Sequence, residues 1–496
     1  MANLRQSADE IAQVVDDQNP WRATGVVAEV LAPPVERPLA RVLWRSLDSQ
    51  LRRFALIVGA RRVGKTTVMY QTVRHLLATG LDPGRVVWLR LDHPVLLREE
   101  LGPLVRLVVE AAGASADRPL YLMLDEIVYA RDWDGWLKTF YDDHWPVRIL
   151  ATSSATAALR TRRLESGAGR WTEHYLAPYG FGEYLDLIGH AVELPLADSL
   201  AESIHALPRR VENSGSLPAL RRRFMLIGGF PELLSSEGGP GRTVDEASRL
   251  LQSQQILRTD AVESAVYKDI PQSFGVSSPL QLERLLYVLA AQVTGVLSPG
   301  KIAAELELSQ PTLDRYISYL RQAFLVFTLP AFSSSEESRQ RRGRKLYFVD
   351  GAVRNAALQR GLSPLSDPAE LGVLTENLVA GALHSLAEQT VARLFHWRDN
   401  RREVDLVLEN PVRPLAFEVA SSLRHKVDGL RALLTRYPKF TGGAYLLSPD
   451  APVRHPDADH DIGTLPLDLF LVLAGRQAER AALARVPGQA AASPPT

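Results

Sequence analysis

The sequence predicts an α/β chain of several domains, with a parallel sheet near its start, a helical middle and a second α/β segment toward its end. Three observations lead there. Phe54 to Val58 is a continuous apolar run that stops at Gly59, and helical spacing follows from Thr66 to Ala78, the order of a buried strand, a turn and a helix. From about 195 to 325 the apolar positions keep a helical period with few strand runs. From about 365 to 475 strand and helix patterns alternate again. A length of 496 residues, at roughly 150 residues per domain, allows two to four domains.

Taken in order, residues 1–50 form a helical lead-in interrupted by Pro33-Pro34 and Pro38. Residues 51–192 hold the first α/β core. Val86 to Leu89, Leu120 to Leu124 and Val147 to Leu150 repeat the buried-strand pattern, with helices at Leu101 to Ala112 and around Trp136 to Tyr141 between them. Residues 193–280 are a helical lid and linker. Residues 281–364 begin with the apolar helical face of Leu282, Leu285, Leu286 and Leu289. They continue as Lys301 to Leu308, a tight turn at Ser309, and Pro311 to Phe324, with Pro311 in a first turn where its missing N–H does no harm. In 365–475 a helix spans Leu374 to Leu386 and another Val427 to Leu434; strands lie near Val404 to Leu408, Leu415 to Val419 and Ala444 to Leu447. The Ala- and Pro-rich residues 476–496 read as a flexible tail.

Composition narrows the functions. Lys+Arg and Asp+Glu both number 57, a net charge of zero, so a polyanion has to be met by a local basic patch. The absence of cysteine excludes disulfides, thiolate nucleophiles and Cys-ligated metals. The first ten residues carry acids where a signal peptide needs a basic region and an apolar run, and no stretch reaches about 18 apolar residues. The expectation is a cytoplasmic protein with no membrane span.

Gly59-Ala60-Arg61-Arg62-Val63-Gly64-Lys65-Thr66 fits the phosphate-loop pattern in full, between strand and helix. The glycines let backbone N–H groups turn toward phosphate oxygens, Lys65 reaches the β and γ phosphates of ATP, and the Thr66 hydroxyl holds Mg2+. Thr67 follows at the start of the helix. Asp125, at the end of a buried strand in the same sheet, is placed to take magnesium directly or through water. Glu126 beside it can orient or deprotonate the attacking water. Thr152-Ser153-Ser154 either bonds the γ-phosphate or lytic water, with Ser154 the catalytic candidate, or caps the next helix. Arg170 follows a glycine-bearing segment and is the candidate cation for γ-phosphate transfer, supplied across a subunit boundary; Arg160, Arg162 and Arg163 compete for the role.

The ordered set of motifs resembles AAA-type ATPases with a C-terminal domain of unknown function 4143. The matching pieces are Gly59 to Thr67, Leu122 to Ile127, Thr152-Ser153-Ser154, Glu165 to Arg170, Leu176 to Leu185, Ile227-Gly228-Gly229-Phe230-Pro231-Glu232, Tyr267 to Ile270, Lys345 to Asp350, and Trp397-Arg398 with Glu403-Val404-Asp405. The resemblance implies a P-loop ATPase core using ATP and Mg2+, with Lys65, Thr66, Asp125 and Glu126 in the nucleotide roles and Arg170 as the arginine after the sensor strand. Ser153 stands where the family commonly has glycine.

Lys301 to Phe324 has the spacing of a helix-turn-helix, and the region reads as a winged helix. Gln310, Thr312, Arg315 and Ser318 are expected on the exposed side, with Leu313, Ile317 and Leu320 inward. Arg339 to Lys345 reads as a polar wing loop in which Arg341, Arg342 and Arg344 track phosphates. The same fold also serves for packing or subunit contacts. Glu376 on a helix, Asp405 on a strand and Glu418 on the next resemble the magnesium-gathering order of restriction-endonuclease-like nucleases. Those enzymes carry a lysine two positions after the last acid, on the same face of the strand; here that position is Ala420. His425 and Lys426 lie in the next segment, not at the required place, so the site reads as degenerate. His396 reads as a packing or hydrogen-bonding residue. The expected activity is Mg-dependent ATP hydrolysis coupled to conformational work on double- or single-stranded DNA, in a homo-oligomer. The alternatives are a nucleotide-gated protein-binding scaffold and an ATP-controlled metal nuclease.

Overall fold

A computed structural model of the chain describes residues 2–49, 52–153, 169–209, 215–235, 245–457 and 459–484. It divides into two compact units, the first running to Leu176 and the second spanning Ala177–Ala481.

The first unit is built on five parallel strands, β1 (Phe54–Val58), β2 (Val86–Arg90), β3 (Leu120–Asp125), β4 (Val147–Ser153) and β5 (Trp171–Tyr175). Their spatial order is β2-β3-β4-β1-β5, so β4 separates the phosphate-loop strand from the strand that ends in Asp125. Every residue of β1 and β3 is buried, as their unbroken apolar runs require in a sheet covered on both faces. Helices Lys65–Ala78, Leu101–Ala111 and Trp133–Asp142 connect the strands. The lead-in belongs to this unit. The Asn19 side chain donates to the Trp88 carbonyl at 2.9 Å and accepts from the Trp88 N–H at 2.6 Å, and Trp21 Nε1 donates to the Val86 carbonyl at 3.1 Å. These bonds occupy backbone groups of edge strand β2 that would otherwise be open to another chain.

The second unit begins with helices, among them Phe181–Leu187, Leu217–Ile227 and Glu246–Leu257. Helix Pro279–Ala291 precedes the pair Pro299–Glu305 and Gln310–Gln322, after which β6 (Val326–Leu329) and β7 (Lys345–Phe348) form an antiparallel hairpin. Helix Pro368–Gln389 leads to a mixed sheet of β8 (Arg393–Asp399), β9 (Arg402–Glu409), β10 (Leu415–Val419), β11 (Ala444–Ser448) and β12 (Gly463–Pro466). β8, β9 and β10 pair antiparallel, while β10, β11 and β12 run parallel.

Two motifs far apart in the chain turn out to be structural. Asp350 accepts from the Gly229 N–H at 2.7 Å and the Ala352 N–H at 2.8 Å, and Tyr179 N–H donates to the Gly229 carbonyl at 2.7 Å. Gly228 has φ +77°, and a Cβ on Gly229 would strike the Tyr179 backbone. Glycine is required at both.

Three expectations are corrected. Residues 476–484 are not tail: they continue helix Leu467–Ala484, in which Gln477 and Ala478 are buried. Arg339 to Lys345 is not one loop: Glu336–Arg341 is a short helix, capped by the Ser335 hydroxyl accepting from Ser338 N–H and started by two acids. Arg339 is buried against Phe332 and Phe395 and paired with Glu409 at 3.0 Å, and Lys345 opens β7 inside the protein. Arg341, Arg342 and Arg344 are exposed. In helix Gln310–Gln322 the inward residues are Leu313, Tyr316 and Leu320, while Ile317 is half-buried.

Candidate active site

The phosphate loop leaves the carboxyl end of β1, where Arg62 (φ 63°) and Gly64 (φ 92°) adopt left-handed backbone. Gly59 tolerates no side chain, because a Cβ there would meet the Leu176 carbonyl. Gly64 is the N-cap of helix Lys65–Ala78, so the first free N–H groups of that helix, with their partial positive charge, lie at the loop. The Lys65 ammonium is buried and donates to the carbonyls of Gly59 (3.1 Å) and Ala60 (2.9 Å), folded back over the loop it serves.

Thr66 and Asp125 meet: the Thr66 hydroxyl donates to Asp125 Oδ2 at 3.2 Å. A hydroxyl and a carboxylate oxygen form the hard donor pair suited to magnesium, which takes one or two protein oxygens and completes its shell with water and phosphate. Among the described residues no three His, Cys, Asp or Glu side chains are arranged to hold a metal, and this site does not need three. Burial lifts Asp125 to about pKa 6 against the opposing hydrogen bonds of Thr152 and Thr66, with the Glu126 charge adding to the rise. Asp125 therefore carries its charge above pH 6 and loses it below. Mg-ATP affinity is expected to fall as pH drops through about 6, and titration calorimetry of Asp125→Asn should show that step removed.

Thr152 has a role the sequence did not offer. Its hydroxyl donates to Asp125 Oδ1 at 2.6 Å and accepts from the Glu126 N–H at 2.8 Å, so β4 braces both acids from between β1 and β3. Glu126 takes left-handed φ 55°, a costly conformation for a side-chain-bearing residue, and its N–H is held there by the Thr152 hydroxyl. Ser154, Arg160, Arg162 and Arg163 lie outside the described residues. Arg170 precedes β5 at the amino end of the strands, opposite the end that bears the loop, and makes a two-pronged pair with Asp142 at 2.9 Å for both contacts. It is therefore placed away from its own phosphate loop.

The second acid set is in the second unit, and the structure brings it together around a residue that sequence reasoning left out. Lys345 Nζ lies 2.5 Å from Glu403, 3.2 Å from Glu376 and 3.4 Å from Asp405. Tyr347 donates to Glu376 at 2.7 Å, and Val419 N–H to Asp405 at 3.0 Å. Glu418 faces His425 at 3.1 Å. Burial and the Asp405 charge push Glu376 up to about 8; burial pushes Glu418 up to about 7, with His425 opposing. Burial would lower Lys345, but the charges of Glu376, Asp405 and Glu403 outweigh it and hold the ammonium above its ordinary range. His396 is buried, its imidazole lowered to about 4 by that burial, with Nε2 at 3.2 Å from the Gly343 carbonyl.

Three family models match parts of the chain. Residues 51–185 match the AAA domain family, 219–364 a domain of unknown function (DUF8612) and 371–459 a domain of unknown function (DUF4143). An uncharacterized protein of Methanocaldococcus jannaschii is 24% identical over 400 residues, 78% of this chain and 79% of its own length. Uncharacterized proteins of Mycobacterium bovis and Mycobacterium tuberculosis are each 29% identical over 166 residues, covering 33% of this chain and 37% of theirs. Among solved structures, Cdc6p from Pyrobaculum aerophilum is 16% identical, with 68% of this chain and 98% of that one covered and a TM-score of 0.27. A signal-transduction ATPase with a tetratricopeptide repeat sensor from Pyrococcus horikoshii is 12% identical, with coverage of 70% and 46% and a TM-score of 0.23. The AAA-type P-loop assignment of the first unit rests on the family match and on its strand order. No described helix is long and apolar enough to cross a membrane.

Proposed function

We propose that this chain, which carries an AAA-family ATPase domain and a C-terminal DUF4143 domain, hydrolyses ATP with magnesium and couples the cycle to conformational work on DNA. The observation that carries the ATPase reading is the Thr66–Asp125–Thr152–Glu126 chain of hydrogen bonds beside the phosphate loop. Thr66 and Asp125 would hold magnesium, which when bound offsets charge on the β and γ phosphates. Lys65 exchanges its two loop carbonyls for phosphate oxygens. Glu126, fixed by its backbone bond to Thr152, accepts the proton of the attacking water. Arg170, remote from its own loop, acts on a neighbouring copy in a homo-oligomer, releasing Asp142 to do so.

The DNA reading treats the helix pair and hairpin as a winged helix. Gln310 and Arg315 are exposed on the second helix; Thr312 is half-buried, its hydroxyl engaged by Ser309 and Arg315, which makes it a positioning residue for that turn. Arg341, Arg342 and Arg344 supply three exposed cations next to β7. Neutralising these three should weaken duplex binding across unrelated sequences and flatten its salt dependence, since each lost phosphate contact removes about 0.9 from the log–log slope. Salt-titrated fluorescence anisotropy reads both effects. Absence of wild-type binding at low salt, with ATP and with ADP, would reject DNA in favour of a protein partner.

A further inference from the structure

The acid set on the C-terminal sheet looks incomplete in sequence, because Ala420 stands where a lysine would complete it. In space an ammonium is there, delivered from the hairpin that precedes the sheet. Lys345 is 2% exposed in its side chain, and three carboxylates lie within salt-bridge distance, at 2.5 Å (Glu403), 3.2 Å (Glu376) and 3.4 Å (Asp405). An ammonium has three N–H donors and no acceptor, so three carboxylate partners saturate it. Removing a buried charge from such partners is costly, because the carboxylates it leaves behind are uncompensated.

The hairpin is also held where it enters. Lys345 bridges Val296, His396 Nε2 meets the Gly343 carbonyl, and the adjoining short helix is tied to the sheet through Arg339 and Glu409. With Leu329 opposite it in the β6–β7 ladder and Val296 on the other side, Lys345 has a backbone neighbour on each side as well as its charge contacts. The other acid, Glu418, is engaged by His425. Glu376, Asp405 and Glu403 each already have a cationic or donor partner from this chain, while Glu418 is bonded through Oε1 and keeps a buried Oε2 without a hydrogen bond; among the described residues no metal-holding group of three is formed.

We propose that the Lys345 ammonium is the resident cation of this cluster, taking the place of a divalent metal, so that Glu376, Asp405 and Glu403 serve as a socket for the hairpin and not as a metal centre. The inference concerns the second unit alone and does not depend on the ATPase or DNA readings.

Manganese is the probe. Its binding to the full chain without nucleotide can be counted by electron paramagnetic resonance of free Mn2+, in wild type, Asp405→Asn, Lys345→Met and the Lys345→Met/Asp405→Asn double variant. Wild type and Asp405→Asn should bind equal numbers of ions. Lys345→Met should gain one, and the double variant should lose it again. A wild-type site that disappears in Asp405→Asn would overturn the proposal, as would a folded Lys345→Met that gains none. Should Lys345→Met fail to fold, the comparison of wild type with Asp405→Asn still decides: equal counts support the socket and a lost ion rejects it.

Discussion

Glu126→Gln is expected to leave ATP bound and to slow its hydrolysis by about 10²–10⁴-fold, the span a positioned acid–base group contributes. The separation follows from geometry. Asp125, not Glu126, meets the Thr66 hydroxyl, and the bond that the Glu126 N–H donates to Thr152 does not involve the Glu126 side chain. The amide therefore keeps the loop, the metal donors and the strand-end turn while removing the proton acceptor. Single-turnover hydrolysis, with nucleotide retention measured in parallel, separates the two effects. Turnover at the wild-type rate would show that another group activates the water.

Lys65→Ala is expected to act one step earlier, lowering ATP affinity by about 10- to 100-fold. That corresponds to losing charge-assisted hydrogen bonds of about 1.5–3 kcal/mol. The ammonium is buried and its bonds to Gly59 and Ala60 are to neutral carbonyls, so phosphate oxygens are its stronger partners. The loop itself should survive, because its turn depends on Gly59, Arg62 and Gly64 backbone conformations. Fluorescent-nucleotide titration reads the change, and circular dichroism checks that the variant is folded. Unchanged affinity would place the nucleotide phosphates elsewhere.

Much of the first unit was legible because its chemistry is written in consecutive residues. An apolar strand, a glycine turn and a helix carry the loop from Gly59 to Thr66, and the strand ending in Asp125-Glu126 announces itself the same way. Thr152 was visible as a small polar residue, but its two bonds reach Asp125 and Glu126 across the sheet, and strand order is not written in spacing. The same limit hid Lys345. A strand-based search looks two positions past Glu418, whereas the ammonium comes from 31 residues before Glu376 and 60 before Asp405. Its position inside a run of arginines made it look like one more solvated cation. Helical spacing places Leu313 and Leu320 correctly inward yet favours Ile317 over Tyr316, because at about 100° per residue these two flank the Leu313–Leu320 line at similar angles on opposite sides, and spacing alone does not choose between them. Arg339 stands in a run that reads as a polar loop, and no local pattern signals that Phe332, Phe395 and Glu409 enclose it.

The most direct measurement is phosphate release from ATP by the purified chain, with magnesium or with chelator, alone and with duplex DNA. Turnover is expected to require magnesium, to rise when DNA is added and to be lost in Glu126→Gln. ATP recovered intact from the wild-type chain after incubation with magnesium and DNA would contradict that expectation.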